Sequence, residues 1–196
     1  MIQLVRRYGK LSFLFFLVGS ILGAVFAHPL QHVLLPFVRD IRKVGVSMRG
    51  ESLIEVAFTI FSHNLTTSLT MLIGGIVFGI IPLVSVMING ALVGFVLTVL
   101  TQTTHVNPIL LFFTGIFPHG IFEIPAYLLA SGFGLELGFT LFRSLWHRKE
   151  TRSEWVQLRT DFGPSILWII IFLAIAACIE AGITPHLLAW AIGTHH

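Results

Sequence analysis

Charge is what this chain has least of. Asp, Glu, Lys and Arg make up 11% of its 196 residues, hydrophobic types make up 55%, and the mean hydropathy is +0.90. A soluble domain carries about a quarter of its residues as charges. With so few here, the bilayer must be the solvent for most of the chain. Cysteine is nearly missing too. Cys178, inside an apolar run, is the single one; this excludes an intramolecular disulfide and a thiolate metal cluster, and leaves a small packing residue. Nothing marks a second domain, so residues 1–196 read as one transmembrane domain. The formal net charge is a modest +3, and the basic residues stand in blocks beside apolar runs. That placement suits membrane topology and anionic headgroups and argues against a nucleic-acid partner.

Long hydrophobic runs are what the chain has in quantity, and a spanning helix takes about 20 such residues. The first run, 11–27, follows Arg6, Arg7 and Lys10. It is long for a signal-peptide core and lacks a small-residue cleavage site before His28-Pro29, so it is expected to remain as the first span. Leu30, Val33, Leu34, Phe37, Val38 and Ile41 then recur at helical spacing among Arg39, Asp40, Arg42 and Lys43. That predicts an amphipathic interfacial helix near 29–45. Further spans are expected at 56–81, ending at Pro82, and at 83–100. The stretch 108–142 would make a helix of about 52 Å against a hydrocarbon core of about 30 Å, so it must break, bend or re-enter. Pro118 and Pro125 are its expected helix breakers. A polar loop over 143–161 and a last span at 164–192 complete an all-α polytopic bundle of about five spans.

The positive-inside rule places the N-terminus and the 143–161 loop in the cytoplasm, the loop through Arg143, Arg148, Lys149, Arg152 and Arg159. The four basic residues of 28–55 pull against that orientation. Glycines four residues apart, Gly19/Gly23, Gly75/Gly79, Gly90/Gly94 and Gly134/Gly138, predict close helix contacts, within one chain or between two. The terminal His195-His196 reads as the start of a purification tag and carries no functional weight.

Ionisable side chains inside spans cost a few kcal/mol each and usually carry a role. His119 and Glu123 lie in the interrupted stretch and Glu180 in the last span, while His63, Asn64 and Asn89 add polar groups to the second and third. Four residues apart, His119 and Glu123 share one helix face, with Cβ atoms about 5–6 Å apart. Pro118 fits the first turn of a helix, and Pro125 cannot donate to the Ile121 carbonyl. Three uses of the pair remain open. The groups can hydrogen-bond each other and Asn64 or Asn89, gluing helices together. They can bind a metal, with His63 or Glu180 as a further ligand and zinc suiting the N/O donors. Or Glu123 and Glu180 can serve proton- or ion-coupled transport. The HxxxE spacing lacks the second histidine of an HExxH zinc motif.

The segment Pro118-His119-Gly120-Ile121-Phe122-Glu123-Ile124-Pro125-Ala126, followed by Ala130-Ser131-Gly132 and Gly134-Leu135, resembles the signature of the stage II sporulation protein M family. Asn64, Asn89-Gly90, Gly94, Ile179-Glu180 and Ile183-Thr184-Pro185 are similar to its other motif positions. His63 stands where that family often has a second asparagine. The resemblance implies a multi-spanning protein without enzymatic activity of its own, which anchors cell-wall-degrading partners at a membrane. It also implies that His119, Glu123, Glu180 and Asn64 form one site, with metal favoured over structural glue.

The function expected is therefore a non-enzymatic plasma-membrane scaffold, a homodimer in lipid, recruiting partners such as cell-wall hydrolases and holding a buried His/Glu site suited to zinc. The alternatives are a permease-like subunit coupled to a partner ATPase, and an intramembrane metallohydrolase. The hydrolase also needs a general base, for which few ionisable groups remain.

Overall fold

The computed structural model describes residues 8–29, 52–145 and 151–193. Among them every regular element is helical: α1 (Lys10–Val25), α2 (Leu53–Gly74), α3 (Ile80–Thr104), the short α4 (Pro108–Leu111), a π-helical segment (Phe112–Ile116), α5 (Phe117–Ser144), α6 (Arg152–Gly182) and α7 (Thr184–Gly193). Four stretches are long and apolar enough to cross a membrane: Leu53–Gly74, Ile80–Thr104, Pro108–Ser144 and Arg152–Gly193. The 16 residues of α1 are a shorter apolar helix, rising about 24 Å. The all-α membrane bundle read from the sequence is therefore what the chain forms. The amphipathic helix expected near 29–45 lies, beyond its first residue, outside the described residues.

Glycine sets how these helices meet. A Cβ on Gly19 or Gly23 of α1 would collide with the carbonyl oxygens of Met87 and Ala91 on α3. One on Gly90 or Gly94 would collide with those of Phe16 and Ser20 on α1. The two GxxxG motifs are thus mates, and backbone-to-backbone approach supplies the packing that hydrophobicity cannot supply in lipid. The other two pairs behave likewise. Gly75 meets the Gly134 carbonyl, Gly134 the Met71 carbonyl, and Gly138 the backbone of Gly75 and Gly79. All four expected glycine motifs are spent inside one chain.

Several boundaries differ from the sequence expectation. The turn between the second and third spans comes before Pro82, over residues 75–79, with Phe78 at φ 49° and Gly79 at φ 74°. Pro82 instead sits buried in the first turn of α3, where a missing N–H costs nothing. Residues 152–161 are not loop: they are the first turns of α6, which runs through Pro164 without ending. The long fourth stretch neither re-enters nor stops at Pro125, which lies inside the continuous α5. Its interruption is the π-helical segment just before Pro118, where the proline has no N–H for the Thr114 carbonyl.

Helix directions alternate. Tyr8, just before α1, stacks on Phe139 near the end of α5 with ring centroids 5.5 Å apart, so the start of α1 and the α5–α6 hairpin share one end of the bundle. Leu53, the first residue of α2, packs at Gly182, the last of α6, which marks the opposite end. The core between them gathers Met71, Leu72, Val86, Ala126, Tyr127, Phe133 and Leu173 from four helices.

Candidate metal centre

The distal end of the bundle, opposite the α5–α6 hairpin, carries the ionisable groups. His119 and Glu123 lie one turn apart at the start of α5, their side chains 15% and 19% exposed, with His119 Nε2 4.0 Å from Glu123 Oε2. Glu180, in the last turn of α6, brings a second carboxylate. One ligand atom from each of His119, Glu123 and Glu180 lies within 4.8 Å of the others. The three residues expected from the sequence to share a site do so, across two helices and 61 positions of chain.

Local sequence explains the placement. The π-helical turn ahead of Pro118 adds one residue to the helix and resets its face, so that His119 and Glu123 both point at α6. On α6, Pro185 withholds the N–H that the Ala181 carbonyl would take. The helix gives way at Ile183, with φ −109° and ψ −49°, and α7 starts at the buried Thr184. That break turns the Thr184 hydroxyl toward His119, and its Oγ1 lies 3.3 Å from Nδ1. With Nδ1 taken, Nε2 is the nitrogen left facing the carboxylates.

A second set of contacts backs Glu123. One turn further along α5, buried Tyr127 donates its hydroxyl to Oδ1 of buried Asn64 on α2 at 3.0 Å and also contacts the Glu123 carboxyl. Asn64 thus belongs with the site, through Tyr127. Tyr127 carries no signal in the sequence, and Thr184 only its place in the Ile183-Thr184-Pro185 motif, because a hydroxyl in a span is ordinary and has no telling spacing.

Two expected contributors lie elsewhere. His63 is exposed on the outer face of α2 and is not one of the grouped ligands. Adjacent helical residues differ by about 100°, so turning Asn64 inward turns His63 out. Asn89 spends its amide on its own helix, donating Nδ2–H to the Ser85 carbonyl at 2.9 Å. A further carboxylate, Glu136, is buried on α5 but lies about 20 Å along the axis from Glu123.

One imidazole nitrogen and two carboxylates make a hard-to-borderline donor set that zinc accepts. Donor atoms on a tetrahedral zinc stand about 3.4 Å apart, given metal–ligand distances near 2.1 Å. The one spacing fixed individually, His119 Nε2 to Glu123 Oε2, is 4.0 Å, and all three donors lie within 4.8 Å of one another. Three donors leave a fourth position open.

Apolar helices of spanning length, glycine-packed and joined by an internal imidazole–carboxylate cluster, define a polytopic helical membrane protein. The chain belongs to the stage II sporulation protein M family, whose model matches residues 12–185. It is 32% identical over 134 residues to an uncharacterized protein of Methanocaldococcus jannaschii, a match that covers 68% of this chain and 74% of that one. No solved structure matches it.

Proposed function

We propose that the protein is a non-enzymatic membrane scaffold whose His119/Glu123/Glu180 centre binds one zinc ion and so ties α5 to α6. The observation that carries this reading is the convergence of three ligand atoms from two helices within 4.8 Å. The groups around them add support. Thr184 meets the imidazole, and Tyr127, its hydroxyl donated to Asn64, lies against the Glu123 carboxyl, which resembles the outer-shell arrangement usual around bound metals. Family membership supports a multi-spanning membrane protein; anchoring of partners at the plasma membrane, cell-wall hydrolases among them, and a homodimer are further parts of the same proposal.

Elemental analysis of protein purified without chelator tests the centre. About one zinc per chain is expected in the wild type, and near none in His119→Ala, Glu123→Gln and Glu180→Gln. A wild type with no bound metal sinks the reading.

The open fourth position favours one other reading, a zinc-bound water and hence a hydrolase. Against it, the described residues place no further carboxylate or imidazole in the group to act as general base. The Tyr127 hydroxyl is already committed to Asn64. Hydrolysis of a peptide or ester substrate that required Glu123 would reverse this choice.

A further inference from the structure

A groove opens between α2, α5 and α6 near the hairpin end of the bundle, far from the metal centre, with a cavity volume of about 350 Å³. Its floor is buried Leu72, Phe133 and Leu158, and Ile76 and Trp155 form walls. The one charged residue lining it is Arg159, whose aliphatic stem faces the groove while the side chain reaches outward to an exposed position. Apolar walls ending at a single cation are the shape of a site for a molecule with one hydrocarbon tail and an anionic head.

The neighbouring acids do not neutralise Arg159. Glu154 Oε1 is 2.9 Å from Nη1 of Arg143, and Asp161 Oδ2 accepts from Gln157 Nε2 at 2.8 Å. Among the described residues, Arg159 makes no ion pair or hydrogen bond, while its side chain is exposed. Trp155 beside it donates its indole N–H to the Ser144 hydroxyl at 2.9 Å, the anchored pose of a tryptophan at a membrane–water interface. Arg159 also stands at interfacial depth. Between it and Glu180, α6 rises about 32 Å, close to the thickness of the hydrocarbon core.

Size decides between occupants. Three turns of a partner helix about 10 Å across fill on the order of 1,000 Å³, which this groove does not offer. One acyl chain fits.

We infer that this groove is a binding site for an anionic phospholipid, with an acyl chain between α2, α5 and α6 and the phosphate on the Arg159 guanidinium. The same reasoning sets what the site rejects. A zwitterionic lipid of equal chain length keeps the apolar contacts but brings its own cation toward Arg159.

The test uses the full-length protein, stripped of lipid in detergent and titrated with phosphatidylglycerol or phosphatidylcholine of identical acyl chains, the bound lipids being counted by native mass spectrometry. The wild type is expected to retain phosphatidylglycerol about fivefold or more over phosphatidylcholine, the preference one arginine supplies near a membrane surface. Arg159→Gln abolishes the preference. Leu137→Trp, which fills the groove from α5, lowers retention of both lipids. Lys10→Gln, an exposed cation at the start of α1 that does not line the groove, changes neither. Equal retention of the two lipids by the wild type overturns the inference. So does a preference that survives Arg159→Gln, or displacement of the lipid by millimolar inorganic phosphate, which would mark a free-anion site. Should Leu137→Trp fail to fold, Arg159→Gln against Lys10→Gln decides alone.

Discussion

His119 is held from two sides, and its behaviour should depend on the side that carries no charge. The Thr184 hydroxyl meets Nδ1 at 3.3 Å and presents Nε2 to Glu123 and Glu180. Removing such an outer partner typically costs about 10–100-fold in metal affinity. Thr184→Val keeps the β-branched shape and should weaken zinc binding by that factor, read from competition with a chromogenic chelator, while Thr184→Ser should restore most of it. Equal affinity in wild type and Thr184→Val would reduce the contact to packing. The residue scale is also where the sequence was most and least legible. His119 and Glu123 announce themselves by i, i+4 spacing, and Glu180 by being an acid in an apolar run. Tyr127 and Thr184 do not, since their importance comes from contacts with residues 63 and 65 positions away. His63 shows the converse. A histidine beside Asn64 looks eligible in the sequence, but one step along a helix is enough to face it away from the site.

Among the elements, the α1–α3 pair depends most strictly on what is absent, namely Cβ atoms at Gly19, Gly23, Gly90 and Gly94. A methyl at Gly94 would overlap the Ser20 carbonyl oxygen, and backbone cannot swing aside as a flexible side chain does. Gly94→Ala should therefore force α1 from α3 at a cost of about 1–3 kcal/mol, the usual range for overpacking. The readout is a lower thermal transition in detergent. Gly163→Ala is the matched control, since its Cβ meets nothing within 4 Å, and it should stay near wild type. Because both members of each glycine motif are used within one chain, a homodimer has to form through some other face. At this scale hydropathy reveals the helices but not their ends. Hydropathy stays high through the turn at 75–79, so the eye settles on Pro82, a residue that belongs inside a first turn. The signal actually present is Gly79, which takes the left-handed conformation that closes the turn. The start of α6 is hidden in the sequence for the opposite reason: residues 152–161 are polar, and a helix that rises beyond the apolar layer needs no apolar face there. Its 31 residues rise about 46 Å, more than a hydrocarbon core of about 30 Å can hold.

For the whole molecule, the alternation of helix directions turns a local site into a sided one. The stacked Tyr8 and Phe139 place the start of α1 at the same end as the α5–α6 hairpin. That end therefore collects Lys10, Arg143, Arg152 and Arg159 among the described residues. By the positive-inside rule that end is the one expected in the cytoplasm, against the pull of the four basic residues of 28–55. His119, Glu123 and Glu180 lie at the other end, since the first turns of α5 and the last turn of α6 are farthest from the hairpin. Glu180 is about 32 Å up α6 from Arg159, which sets the two near opposite faces of the hydrocarbon core. The centre should then exchange its metal with the outside and not with the cytoplasm. The check is a membrane-impermeant chelator added to sealed vesicles of known orientation carrying zinc-loaded protein. Right-side-out vesicles are expected to lose zinc at least severalfold faster than inverted ones, and detergent to erase the difference. Faster loss from inverted vesicles would mean that the basic end faces outward. Equal loss in both would mean that the metal leaves by a path through the bundle rather than from its distal end. The partly exposed side chains of His119 and Glu123 favour direct exit from that end.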